Sequence, residues 1–464
     1  MPRYPDAMPT SRRLFERGRR VMPGGNTRTT VFIDPFPIYA ARGEGCRVWD
    51  VDGNAYYDCI NNFTAMIHGY GHPNVTAAVI DQMAHGTAFG APTRSEIELA
   101  ELLVERLPSV QQIRFANSGT EGVMMAIKAA RAFTERPKIV KIEGAYHGSY
   151  DFAEVSLDSS PTNWGDMPAS TPYARGTPRS VLDNVIAVPF NDIEALRAVF
   201  AAHGDTIAGV LIDPMPNRAG LIPARKDYLE AMIEIAHAAG ALVIFDEVIS
   251  FRLGHSGAQG LWGISPDLTA LGKIIGGGFP IGAVGGRAEV MAVFDPTRGK
   301  PALPHAGTFT ANPVTMCAGL AAMQALTPES FAHLDHLGSL LREGITGSLD
   351  LHRLAGRCVG LGSLLKVHFT ALPVTDYRSV YPGPAERERL DAFHKGLLNR
   401  GVLSASYGLF ALSTAMTEDD ARAILGAIDE TLGEISGNSD HGLVARSGAA
   451  DVTAGSPKNA MDDN

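Results

Sequence analysis

The sequence predicts an α/β protein: a large domain built on a mostly parallel sheet flanked by helices, with a smaller α+β region beside it. Three observations carry this. Between about residues 66 and 325, short apolar runs alternate with helical segments, the pattern of strand–crossover–strand units. The runs are apolar on successive residues, as strands covered on both faces must be. On either side of this stretch the alternation stops, and a different mixture of helices and short strands takes over.

Residues 1–65 open with a helical segment and a Gly/Pro-rich loop, "MPGGNTRTT". They close on "GCRVWDVDGNAYYDCI", whose side chains alternate around Asp52-Gly53, a hairpin signal. The 66–325 stretch supplies the expected sheet strands: "IRFAN" (113–117), "KIVKI" (138–142), "NVIAVP" (184–189), "AGVLID" (208–213), "ALVIFD" (241–246), "DLTAL" (267–271) and "IGAVGG" (281–286). Helices are expected from Thr120 to about Glu135 and from Arg225 to Gly240. Residues 326–435 are mainly helical, with short strands such as "LLKVHF". From 436 to 464 the chain is Gly/Ser/Asp-rich without a period, and a disordered tail is expected.

Composition narrows the function. The 464 residues are 45% hydrophobic and 19% charged, as in soluble globular enzymes. A net charge of −10 with no basic block longer than "RGRR" argues against a nucleic-acid partner. No apolar stretch approaches the ~18 residues of a membrane span, and the N-terminus lacks the apolar core of a secretion signal. Cys46, Cys59, Cys317 and Cys358 have no C-x-x-C spacing. They read as reduced thiols of a cytoplasmic protein.

In open parallel sheets ligands sit outside the carboxyl ends of the strands, so the polar residues after each run form the candidate site. After the first strand, Ser118, Gly119 and Thr120 open a helix and aim backbone N–H groups where a phosphate could bind; a plain N-cap is the alternative. "GAYHG" puts Tyr146 where its ring could cover a flat ligand, with His147 nearby, or where it could be simple core. "GALVIFDEV" drives Asp246 and Glu247 in on the end of a buried strand, which is costly without a cationic partner. Lys273 ends another strand and runs into three glycines.

Rival motifs fail. Gly272-Lys273-Ile274 lacks the Ser/Thr and the spaced glycine of a P-loop, and "GGGFPIGAVGG" does not open a dinucleotide-binding unit. His333 and His336 have no third metal ligand in view, so no metal is expected. The four strand ends together ask for one ligand: flat, phosphorylated, with a basic ring nitrogen and an aldehyde. Pyridoxal phosphate fits, with Lys273 forming a Schiff base.

On "MPGGNTR", "NSGTEGVMMAIKAAR", "YHGSYD", "FDEVISFRLG", "LGKIIGGGFPIGAVGGR" and "HAGTFTANPVTMCAG", the chain resembles the class III, fold-type I aminotransferases over residues 12–435. Within them it resembles the branch of glutamate-1-semialdehyde aminomutase and β-phenylalanine aminotransferase. The resemblance implies the fold-type I pyridoxal-phosphate-dependent transferase architecture, with a small domain drawn from both termini. It implies that Lys273 carries the cofactor, Asp246 pairs with its ring nitrogen, Tyr146 stacks on the ring, and Ser118, Gly119 and Thr120 hold the phosphate. It further implies a homodimer in which Thr308 reaches the neighbouring subunit's phosphate, and that Arg28 grips the substrate carboxylate; a structural salt bridge is the alternative for Arg28.

Two departures bear on the substrate. Asp213 stands where the family has Glu, and Arg218 where a small or amide residue is usual. Ser406, Tyr407 and Gly408 replace the mobile arginine of the β-phenylalanine enzymes, and the acidic residue of the aminomutases is missing too. The expected activity is amino-group transfer from an amino acid, β- or aryl-bearing, to a keto acid, with a monocarboxylate such as pyruvate as acceptor. An intramolecular aminomutase is the alternative, and a non-catalytic cofactor-binding protein the third reading.

Overall fold

The computed structural model describes residues 4–447. Its centre is a seven-stranded sheet: β1 (Gln112–Ala116), β2 (Lys138–Ile142), β3 (Val185–Val188), β4 (Ile207–Ile212), β5 (Leu242–Asp246), β6 (Leu268–Gly272) and β7 (Gly282–Gly286). Across the sheet the order is β1-β7-β6-β5-β4-β2-β3. Only β7 is antiparallel to its neighbours; β6, β5, β4, β2 and β3 run parallel. The seven expected runs fall on these seven strands.

Strands β4 to β7 are buried at every residue. Successive side chains point to opposite faces. Leu242 and Ile244 join the core under helix Gly119–Thr134, while Val243 and Phe245 join the core under helix Lys226–Ala238. The first of these helices buries Val123, Ala126, Ile127 and Ala130, the i, i+3, i+4, i+7 spacing of one helical face.

The chain's two ends build the smaller region together. Ala40–Glu44, Arg47–Asp50 and Ala55–Asp58 form an antiparallel meander, with Asp52-Gly53 at the expected turn. Val402–Leu403 then adds parallel to Ala55–Asp58. Arg357–Leu361, Leu364–His368 and Leu409–Ala411 form a second sheet. Among the described residues no helix is long and apolar enough to cross a membrane.

Glu418–Ser447 is a single helix, which runs on past 436 where an aperiodic tail was expected. The buried residues Ile424, Ile428, Leu432 and Ile435 dock it on the core, and tertiary packing of one face outweighs the poor propensity of the residues that follow. The rest of the expected tail lies outside the described residues.

The sheet gathers its carboxyl ends along one edge. The turn Ser118–Thr120 crosses this edge close to the backbone: Gly119 Cα lies 3.3 Å from where a Cβ on Gly272 would sit, and a Cβ on Gly282 would overlap the Ser118 carbonyl oxygen. Gly282 pairs with both Ala116 and Gly272, so the strand cannot shift to make room. Gly282→Ala should therefore cost about 1–3 kcal/mol or more of stability and loosen the Ser118 turn, which thermal denaturation with and without pyridoxal phosphate would show.

Candidate active site

Asp246 ends β5 and is 4% exposed. Val248 N–H donates to its Oδ1 at 3.0 Å, and His147 Nδ1 lies 2.8 Å from Oδ2. Burial lowers the His147 pKa, against the pull of Asp246. A neutral ring serves the carboxylate as a donor only by carrying its proton on Nδ1. His147 is thus the side chain that sets the orientation of Asp246. Its neighbour Tyr146 faces the opposite way, with 46% of its surface exposed.

Lys273 follows β6 directly. Asp246 pairs with Ala270, three residues before Lys273, so the two residues stand at the ends of adjacent parallel strands, their backbones offset by roughly 10 Å along the strand direction. Lys273 adopts φ +52°, a left-handed conformation uncommon outside glycine and suggestive of function when the surroundings impose it. Desolvation pulls its pKa below the ordinary 10.5; Asp246 and Asp213 oppose this, and Arg252 adds to it. Asp213 follows β4, accepts from Met215 N–H at 2.9 Å, and is raised by burial and then by the Asp246 charge. Desolvation has the opposite effect on an acid and a base; here it brings both toward their neutral forms.

Glu247 points away from this cluster. It accepts from Ala258 N–H (2.6 Å), Gln259 N–H (3.1 Å) and Gln259 Nε2 (3.0 Å). It braces the scaffold, so the two neighbouring carboxylates enter different surroundings.

The helix Gly119–Thr134 starts at the same edge. The N-cap reading of Ser118 holds, with its Oγ accepting from Glu121 N–H at 3.2 Å. Ser118, Gly119, Thr120 and Glu121, which open this helix, are all half-buried. Thr120 Oγ1 accepts from Ser149 N–H at 3.2 Å, which ties the turn to the Tyr146–Ser149 segment.

Arg28 and Thr308 lie apart from this cluster. Arg28 lines a cavity of about 460 Å³ with Phe32, Ile33, Phe63, Met66 and Ser406. Lys273 is not one of its walls, but Gly278, on the glycine run after Lys273, is. Arg28 Nη1 donates to Asn62 Oδ1 at 2.8 Å, and its guanidinium stands 5.2 Å from the Phe63 ring. No carboxylate pairs with it among the described residues. Thr308 lines a different cavity, with Phe89 and Asn312, beside the exposed Phe309. Arg218 pairs with Asp158 at 2.8 Å, and Tyr407 accepts from Asn217 Nδ2 at 3.4 Å.

Three contributors were not visible as such in the sequence. His147 was seen only as a neighbour. Arg252 is a lone cation in "VISFRLG", and its wholly buried position was the missed clue. Asn62 belongs to an Asn-Asn pair, a residue type that tolerates left-handed backbone. His333 and His336, weighed as a metal pair, bond instead to the Met416 carbonyl and to Glu418.

The arrangement fits pyridoxal phosphate on its donor set. A helix N-terminus with half-buried hydroxyl residues suits a phosphate. A buried, oriented carboxylate suits a protonated ring nitrogen, and a desolvated lysine suits an aldehyde.

A family model described as "Aminotransferase class-III" matches residues 30–432. The chain is 39% identical to the glutamate-1-semialdehyde 2,1-aminomutase 2 of Bacillus licheniformis over 436 residues, 92% of this chain and 98% of that protein. It is 40% identical to the β-phenylalanine transaminase of Variovorax paradoxus over 432 residues, 93% and 94% of the two. Among solved structures, an ω-transaminase from Sphaerobacter thermophilus superposes with a TM-score of 0.89 at 52% identity, covering 91% of this chain and 97% of that one.

The lowered Lys273 pKa has a direct readout. Condensation with an aldehyde needs the free amine, so the rate at which the apoprotein takes up pyridoxal phosphate should rise with pH through a midpoint below 10.5. Absorbance-monitored reconstitution across pH 6–11 tests this; a midpoint at or above the ordinary value would contradict the desolvation of Lys273.

Proposed function

The chain belongs to the class III aminotransferases, pyridoxal-phosphate-dependent enzymes, and from that premise we propose that it moves an amino group from a β- or aryl-bearing amino acid to a monocarboxylate keto acid. When bound, pyridoxal phosphate supplies an aldehyde that condenses with amines as a Schiff base and a ring that draws off the electron pair left by a departing proton.

The chain's own residues supply the rest. The Ser118–Thr120 turn holds the phosphate at the helix N-terminus. Asp246, oriented by His147, keeps a proton on the ring nitrogen. Tyr146 covers one face of the ring. Lys273 anchors the aldehyde, then takes the proton from the carbon bearing the donor's nitrogen and returns it at the cofactor's carbon. The depressed pKa of Lys273 suits it to the first of those transfers. Arg28 receives the donor's carboxylate.

The observation that carries this reading is the placement of Asp246 and Lys273 at adjacent strand ends, with an arginine that has no carboxylate partner among the described residues on a cavity that the glycine run after Lys273 also lines. The choice of acceptor rests on the cavity's cations. Arg28 is its one permanently charged cationic wall, and burial lowers its one histidine, His394, to about 4, a neutral ring. That supports an acceptor with a single carboxylate, such as pyruvate. Beside Asp50 and Asp58, the apolar part of the wall, with Phe32, Ile33, Phe63 and Met66, supports an apolar donor side chain. The substrate named for the Variovorax paradoxus relative supports the β-amino class.

A homodimer follows from the same reading, with Thr308 of each protomer reaching the other's phosphate. Exposed Ile80, Met83, Phe89 and Phe309 support an apolar contact face. Four free cysteines support a reducing, cytoplasmic setting. The likeness to the Bacillus licheniformis aminomutase favours a second reading, intramolecular transfer, which would form product without any acceptor.

Single-turnover spectra decide among these. The enzyme loaded with an amino group should return to its original absorbance faster with pyruvate than with 2-oxoglutarate. A marked preference for 2-oxoglutarate would overturn the acceptor, and turnover with no acceptor would favour the mutase. Lys273→Ala should bind the cofactor without the lysine-linked absorbance band and lose at least about 10³-fold in rate.

A further inference from the structure

Asn61, Asn62, Phe63 and Thr64 are four consecutive residues with left-handed backbone, at φ 51°, 48°, 54° and 76°. Asparagine tolerates this conformation, but an aromatic and a β-branched residue are genuine outliers there. Such a run persists only where its surroundings impose it.

Both ends of the run are held. At the start, Ile60 N–H and Asn61 N–H donate to Asp58 Oδ1 at 2.8 and 2.9 Å, and Asn61 Nδ2 donates to the Ala411 carbonyl. At the end, Arg252 Nη1 donates to the Thr64 carbonyl at 3.0 Å. Arg252 is wholly buried. Its remaining bonds go to Ser363 Oγ at 2.9 Å and to the Leu412 carbonyl. No carboxylate neutralises it among the described residues. Its one guanidinium therefore joins the turn to the hairpin bend at Ser363 and to the residue after strand Leu409–Ala411.

The two middle residues of the run both meet Arg28. Asn62 accepts from Nη1, and the Phe63 ring packs against the guanidinium. One edge of the guanidinium is thereby fixed, and the other is left to grip a carboxylate through two parallel N–H bonds. Fixing the side chain in advance removes part of the ordering cost of binding.

We propose that the Asn61–Thr64 turn is a preformed rest for Arg28, with Asn62 and, through Thr64, Arg252 as positioning residues that set how Arg28 meets the donor's carboxylate. This rests on the reading of Arg28 as the carboxylate-binding arginine. The charge of the same buried cation also disfavours the Lys273 ammonium; Arg252→Lys keeps that charge while removing the fork that holds the turn.

The test compares two donors in the holoenzyme: the preferred amino acid of a donor panel, and the amine of the same skeleton without the carboxylate. The readout is the ratio of their kcat/KM values. Asn62→Gly accommodates the left-handed backbone while removing the acceptor, so folding is preserved. It should lower the ratio about tenfold, mainly through the KM of the amino acid. Arg252→Lys should lower it in the same direction, and the double variant should lose less than the sum of the two. In an Arg28→Ala background, Asn62→Gly should have no further effect. An unchanged ratio in Asn62→Gly, or an effect that persists without Arg28, would overturn the proposal while leaving Arg28 in its role. A ratio unmoved by Arg28→Ala itself would instead remove the reading beneath it.

Discussion

A carboxylate buried at the end of a strand is the constraint on which the rest of this structure depends. Left alone, Asp246 would be expensive to enclose. The fold meets the cost in three ways. His147 donates to one oxygen, a backbone N–H donates to the other, and a lysine stands at the end of the neighbouring strand. Each of these depends on the sheet's register, because a slip by one residue would turn Asp246 to the other face and bring Glu247 in its place. The glycines at the edge serve the same register by letting the Ser118 turn lie against the strand ends. The chemistry is therefore written into the pairing of β5 with β6 and of β6 with β7.

The smaller region builds the cavity on which the proposed selection of substrate rests. Its meander and the Val402–Leu403 strand wall the cavity that Arg28 lines. Arg252 is where the two regions join. Its position six residues after Asp246 places it under the sheet edge, and its bonds reach Thr64, Ser363 and Leu412. On the proposed reading, changes on the cavity walls alter which side chain is accepted while Asp246 and Lys273 stay as they are.

Much of this was legible in the sequence because it depends on local pattern. The seven apolar runs gave the seven strands, and the position of Lys273 before a glycine run placed it at a strand end. The turn at Asp52-Gly53 follows from glycine's freedom at φ 91°. What could not be read depends on long-range geometry. Tyr146 and His147 are adjacent in the chain, yet one faces solvent and the other a buried carboxylate. Arg252 reads as an ordinary surface cation until its burial is seen. No local signal announces four left-handed residues at Asn61–Thr64, because Arg252, almost two hundred positions away, holds them. The helix that continues past residue 436 was missed for a similar reason: its docking residues lie upstream of the polar composition.

The parallel pairing of Val402–Leu403 with Ala55–Asp58 carries a consequence for biogenesis. As the chain leaves the ribosome, every strand of the central sheet emerges well before residue 402, and domains fold as units from the amino end. The Asp246–Lys273 edge can assemble while the early hairpin still waits for its last strand. The wall formed by Leu403–Ser406 is thus among the last parts of the cavity to be made, and a nascent chain stalled short of Val402 would hold the Asp246–Lys273 edge without it.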